Sequence, residues 1–96
     1  MLILVSYDVS TSSSEGCRRL RKVAKICLDY GQRVQNSVFE CNLDASQFVM
    51  VKNKLMNEIN ENEDSLRFYI LGNRWQGKVE HIGVKPSVNF EDILIV

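Results

Sequence analysis

The chain has little of what usually announces chemistry. Its 96 residues include one proline, one tryptophan, one histidine and three cysteines. Cys17, Cys27 and Cys41 are odd in number and show no C-x-x-C spacing, and His81 stands alone. A disulfide framework and a zinc site built within one chain are therefore excluded, and the thiols read as small buried apolar residues. Net charge is missing as well. The 12 cations balance 12 acids, which argues against a protein that coats nucleic acid or membrane. No apolar run approaches the about 20 residues that cross a bilayer. The opening run, M-L-I-L-V, has no cationic segment before it and meets Asp8 before a signal-peptide core could be complete. A cytoplasmic protein with no export signal and no membrane contact is expected.

What is present is an ordinary globular composition with charges sorted along the chain. Arg18, Arg19, Arg21, Lys22, Lys25 and Arg33 crowd together, and Glu40, Asp44, Glu58, Glu61, Glu63 and Asp64 follow them. The molecule is electrically two-sided. A chain of this length forms one domain over residues 1–96, small enough that a partner subunit would help to bury surface.

Residues 1–9 read as the central strand. Side chains alternate along a strand, so Ile3, Val5, Tyr7 and Val9 share one face while Leu2, Leu4, Ser6 and Asp8 share the other. The first half is apolar on both faces and the last residues bring a carboxylate to the strand's end. Ser12 and Glu15 fit the S-x-x-E capping box, which predicts a helix over about residues 14–30. Its inner stripe is Cys17, Leu20, Val23, Ala24 and Cys27, and Gly31 is placed to end it. Residues 32–42 predict two short strands around a bend at Gln35-Asn36-Ser37. Asp44 with Gln47 caps a second helix whose inner face is Phe48, Val51, Leu55 and Ile59. Residues 65–71 form the next strand, 72–77 a loop, 79–84 a short strand, Pro86 a turn and 93–96 a last strand.

That order is a ferredoxin-like βαββαβ α+β sandwich with an added C-terminal strand. Two helices cover one face of such a sheet, and the other face keeps apolar side chains from two strands. A homodimer packed sheet to sheet is the simplest remedy, with residues 79–96 as a C-terminal strand segment pairing with the partner subunit.

Asp8 is the first candidate for chemistry, because open sheets place it at the carboxyl end of strands and magnesium commonly uses only one or two protein carboxylates. It also reads as a loop carboxylate accepting backbone donors. A dimer axis near the first strand would supply two copies. The cations of the first helix are the second candidate. With no acid among them to relieve repulsion, phosphate is their natural partner, bound bidentately by guanidinium forks; the plainer reading is a solvated face. Phe39, and Trp75 between Arg74 and Lys78, could stack on bases or simply pack. His81 reads as structural.

The segments Y-D-V (Tyr7 to Val9), R-R-L-R-K-V-A-K (Arg18 to Lys25), Y-G-Q-R-V-Q-N-S-V-F-E-C (Tyr30 to Cys41) and D-S-L-R-F-Y-I-L-G (Asp64 to Gly72) together resemble CRISPR-associated protein two. The tail V-E-H-I-G, K-P-S and D-I-L-I-V continues the resemblance end to end. It implies a ferredoxin-like homodimer in which Asp8 binds magnesium or manganese for phosphodiester cleavage of RNA or double-stranded DNA. It also implies that Tyr7, Arg33 and Phe39 belong to the catalytic site, and that Arg18, Arg19, Arg21, Lys22 and Arg33 bind nucleic acid. A CRISPR integrase subunit is the implied protein partner. No second acid stands out as a general base, so two alternatives stay open: a non-catalytic architectural DNA-binding subunit of the integrase complex, and a toxin-like messenger-RNA interferase.

Overall fold

The computed structural model describes residues 1–71 and 78–84, and its element order is strand, helix, strand, strand, helix, strand, strand. These are β1 (Leu2–Asp8), α1 (Ser14–Leu28), β2 (Gly31–Gln35), β3 (Val38–Asn42), α2 (Ala45–Glu58), β4 (Ser65–Leu71) and β5 (Lys78–Gly83). The loop containing Trp75, the turn at Pro86 and the strand expected over 93–96 lie outside the described residues. The α+β ferredoxin-like order expected from the sequence is present, with β5 as the added strand beside β4.

Local chemistry sets most boundaries. α2 starts as expected, with Asp44 accepting from the Gln47 backbone at 2.7 Å and the Gln47 side chain accepting from the Asp44 backbone at 3.0 Å. α1 starts at Ser14 as expected, but its cap lies one residue later than the S-x-x-E pattern predicts. Ser13 is its cap and accepts from the Gly16 backbone at 3.0 Å, while Ser12 hydrogen-bonds Ser10. A run of three serines offers several equivalent caps, and the geometry of the loop chooses among them. Gly31 does not end α1, which stops at Leu28. It opens β2 instead, where a Cβ would lie 1.8 Å from the carbonyl oxygen of Glu40 on the adjacent strand. Glycine is needed there for strand-to-strand approach.

The five strands form one antiparallel sheet in the order β2-β3-β1-β4-β5. β1 is central, with Val5 opposite Phe39 on one side and Phe68 on the other. Ile3, Val5, Tyr7, Phe39, Cys41, Leu66 and Phe68 pack against Leu20, Val23, Ala24 and Cys27 of α1 and Phe48, Val51 and Leu55 of α2. Phe48 meets Phe68 edge to face at 5.4 Å between centroids. Cys27 and Cys41 are buried free thiols and Cys17 is half-buried, in accord with the apolar reading. The second face of the sheet carries Leu2, Leu4, Ser6, Asp8, Ser65, Arg67, Tyr69, Val79 and His81, by register and alternation.

A buried carboxylate joins the helices to the sheet. Asp64 is fully buried just before β4. It accepts from Arg19 of α1 through Nε at 2.8 Å and Nη2 at 3.1 Å, from the Asn60 backbone at 3.0 Å, and from the Tyr7 hydroxyl of β1. Its own carbonyl accepts from the Val84 backbone at 2.9 Å, which fixes the end of β5. Burial alone would raise the Asp64 carboxyl, but hydrogen bonds from Arg19, Tyr7 and Asn60 outweigh it and hold the group below the ordinary carboxylate range. Burial, and then the bond to Asp64, push the Tyr7 phenol above its ordinary value.

Two outcomes follow for stability. Arg19→Ala leaves a buried charge without its ion-pair partner and should destabilise the domain by about 3–5 kcal/mol in urea unfolding. Because the native Asp64 value lies below the unfolded one of about 3.9, its contribution is complete above that value and is lost as pH falls through it toward the native one. The wild type should therefore lose stability across acid pH, and Asp64→Asn, though weaker at neutral pH, should show a flatter acid limb in the same unfolding series.

Candidate active site and nucleic-acid interface

Asp8 is the last residue of β1, is exposed, and its side chain makes no hydrogen bond or ion pair with any described residue. Ser65, the first residue of β4, stands directly across the ladder from it. The next pair along the same face is Ser6 opposite Arg67, and Arg67 is in turn opposite His81 of β5. The His81 Nε2 atom lies 2.9 Å from the Ser65 hydroxyl and 2.6 Å from the Val84 carbonyl oxygen. Arg67 donates through Nη1 to the Tyr69 hydroxyl at 2.8 Å. The Asp8 carboxylate, the Ser6 and Ser65 hydroxyls, the His81 imidazole and the Arg67 guanidinium thus share this end of the face opposite the helices.

The other residues expected at the catalytic site do not join Asp8 within one chain, and strand alternation is the reason. Tyr7 points to the opposite face, is fully buried, and is committed to Asp64. Phe39 is also fully buried in the helix-side core. Arg33 of β2 is opposite Phe39 and lays its guanidinium over that ring, 5.2 Å from the centroid. The expected catalytic group of Asp8, Tyr7, Arg33 and Phe39 is therefore not assembled within one chain. Asp8 alone occupies the open face; Tyr7 and Phe39 support the core, and Arg33 caps an aromatic at the β2 edge.

The cations of α1 divide in a way the sequence does not show. Arg19 turns inward to Asp64 and Glu63, with only 16% of its side chain exposed, and so is committed to an ion pair that joins α1 to the start of β4. Lys22 sits 3.5 Å from Glu58 of α2. Glu15, Arg18, Arg19, Lys22 and Glu58 line a shallow cleft of about 310 Å³. Arg18, Arg21 and Lys25 are exposed and form no ion pair among the described residues. At spacings of three, four and seven they make one stripe along the helix.

Among the described residues, a metal at the end of β1 would find the single carboxylate of Asp8. Among the described residues no group of three or more His, Cys, Asp and Glu side chains could hold one. A lone, uncommitted, exposed carboxylate fits magnesium or manganese, which retain waters and phosphate oxygens as ligands, and fits best when a second copy adds its own Asp8.

Sequence reasoning missed Asp64, while His81, expected to be structural, bonds Ser65 and the Val84 carbonyl. The signal for Asp64 was present: a D-S pair opens an apolar strand, and a buried start for β4 demands a partner among the α1 cations.

Comparison with known proteins agrees with this architecture. The family described as CRISPR associated protein Cas2 matches residues 1–79. The chain is 60% identical over 95 residues to the CRISPR-associated endonuclease Cas2 of Halalkalibacterium halodurans, covering 99% of each chain. It is 56% identical over 96 residues to the CRISPR-associated endoribonuclease Cas2 of Chlorobaculum tepidum, covering 100% of each. A crystal structure of Streptococcus pyogenes Cas2 at pH 6.5 aligns with a TM-score of 0.75 and 56% identity, over 79% of this chain and 92% of that one. The resemblance carried by Y-D-V, Q-N-S-V-F-E-C and D-S-L-R-F-Y therefore holds across the fold, and the nuclease reading agrees with the names of these relatives. Matched by the family model over residues 1–79 and by these relatives over nearly its whole length, the chain belongs to the CRISPR associated protein Cas2 family.

Proposed function

We propose that this protein is a metal-dependent endonuclease of a CRISPR system, acting as a homodimer on phosphodiester bonds of RNA or double-stranded DNA. The observation that carries this reading is Asp8: exposed at the end of the central strand, uncommitted to any described residue, and on the face that the helices leave uncovered. Packing two such faces together would bring two copies of Asp8 near one axis. Magnesium or manganese held there would polarise the scissile phosphate and acidify a bound water. The chain's own work is to present the carboxylate without competing hydrogen bonds and to supply the Arg67 guanidinium on the same face, where negative charge builds.

A second reading rests on a separate observation. The exposed stripe of Arg18, Arg21 and Lys25, extended by Arg33, suits a duplex backbone gripped without cleavage, as in an architectural subunit that holds DNA for a CRISPR integrase. The two roles use different surfaces and are compatible in one molecule.

Asp8→Asn should lower metal-dependent cleavage at least about 100-fold, while light scattering still reports a dimer; chelation of the metal should do the same to the wild type. Undiminished cutting by Asp8→Asn would sink the nuclease reading. For the grip, Arg18→Glu, Arg21→Glu and Lys25→Glu together should weaken duplex binding and reduce the slope of log affinity against log salt by about 3. An unchanged slope in fluorescence anisotropy would place the DNA elsewhere. Arg19 is kept intact in this variant because its loss would leave the buried Asp64 carboxylate without its ion-pair partner.

A further inference from the structure

We propose that Ser65 contacts the substrate phosphate beside Asp8 and that His81 is the positioning residue that aims the Ser65 hydroxyl; this rests on the nuclease reading above. The His81 Nε2 atom lies within hydrogen-bond distance of both the Val84 carbonyl oxygen and the Ser65 hydroxyl oxygen. A carbonyl oxygen only accepts, so Nε2 carries the hydrogen and shares it between them. Ser65 Oγ is then an acceptor, and its own hydrogen is left to donate elsewhere. No described residue accepts it. Ser65 is only 6% exposed, so an idle donor there is unfavourable unless an acceptor arrives.

The surroundings state what that acceptor is. Directly across the ladder is Asp8, and residues directly opposite in an antiparallel pair hold their Cβ atoms about 4.5–5.5 Å apart. Arg67 follows on the same face, opposite His81. A buried hydroxyl donor and a guanidinium beside one carboxylate suit an anionic oxygen next to a cation. A phosphodiester brought to Asp8 presents such an oxygen.

The hydroxyl is also held rigidly, as a contact made in the transition state requires. Asp64, the preceding residue, is anchored by Arg19, Tyr7 and Asn60. Gly83 faces Ser65 in the β4–β5 register with φ 104°, and a Cβ there would fall 2.1 Å from the Asp64 carbonyl oxygen. This close approach of β5 is what lets His81 reach across to Ser65. A competing role, in which Ser65 and His81 only staple β5 to β4, makes different predictions.

The test uses the full chain with magnesium. Ser65→Ala should lower kcat/KM for oligonucleotide cleavage about 10- to 100-fold, the loss of one hydrogen bond to a charged group. Ser65→Thr, which keeps the hydroxyl, should restore most of it. Ser65→Ala combined with His81→Gln should be no slower than Ser65→Ala, because His81 acts through Ser65. A mere staple would instead lower the melting temperature and leave turnover per folded molecule unchanged. Binding is read separately from cleavage. His81 is the only histidine, so its imidazole NMR signals are unambiguous. A phosphorothioate-linked dinucleotide should shift them in the wild type and in Asp8→Asn but not in Ser65→Ala. Should the wild type fail to cleave at all, the nuclease reading falls while the dinucleotide shift still decides this one. Unaltered turnover in Ser65→Ala, no shift in the wild type, or a shift that survives Ser65→Ala overturns the proposal.

Discussion

The buried carboxylate of Asp64 is the constraint on which the arrangement depends. A charge removed from water this completely is tolerable only with dense donors around it, and this one draws them from three parts of the fold: Tyr7 of β1, Arg19 of α1 and the Asn60 backbone after α2. The consequence is positional. Asp64 ends where Ser65 begins, Ser65 faces Asp8, and the Asp64 carbonyl anchors Val84. The end of the central strand, the start of its neighbour and the end of the added strand are tied to one point. The face that carries Asp8 inherits its geometry from a salt bridge on the other side of the sheet.

Strand alternation then sorts the remaining side chains. Tyr7 and Asp8 are adjacent in sequence and serve opposite faces, the first completing a buried network and the second left to solvent. Arg33 and Phe39 are likewise coupled to each other and separated from Asp8 by the thickness of the sheet. The same logic holds on α1. One turn of the helix directs Arg19 into the protein, whereas Arg18, Arg21 and Lys25 stay outside. A chain with no net charge can therefore present a basic stripe, because its cations lie on one helix and part of its acid is consumed internally.

Much of the fold was legible in the sequence where a local signal was unambiguous. Ser65–Leu71 is bounded by polar residues and rich in strand formers, so its limits agree with expectation. Asp44 and Gln47 form the expected capping box because no neighbouring residue competes for the role. Ser12 was chosen over Ser13 for lack of any local distinction between them. Gly31 has two uses for a missing Cβ, and only the position of Glu40 across the ladder reveals which applies.

The candidate site divides along the same line. The sequence by itself determined that an acid ends an apolar strand, that cations gather on the following helix, and that two helices must share one face of an antiparallel sheet, since each depends on spacing within a single element. Only the tertiary structure decided that Arg19 belongs to Asp64 rather than to a phosphate, that Tyr7 and Phe39 lie behind the sheet from Asp8, and that Ser65 and His81 stand beside it. Those outcomes turn on register between strands that are distant in the chain, and a one-residue change of register would send each side chain to the other face.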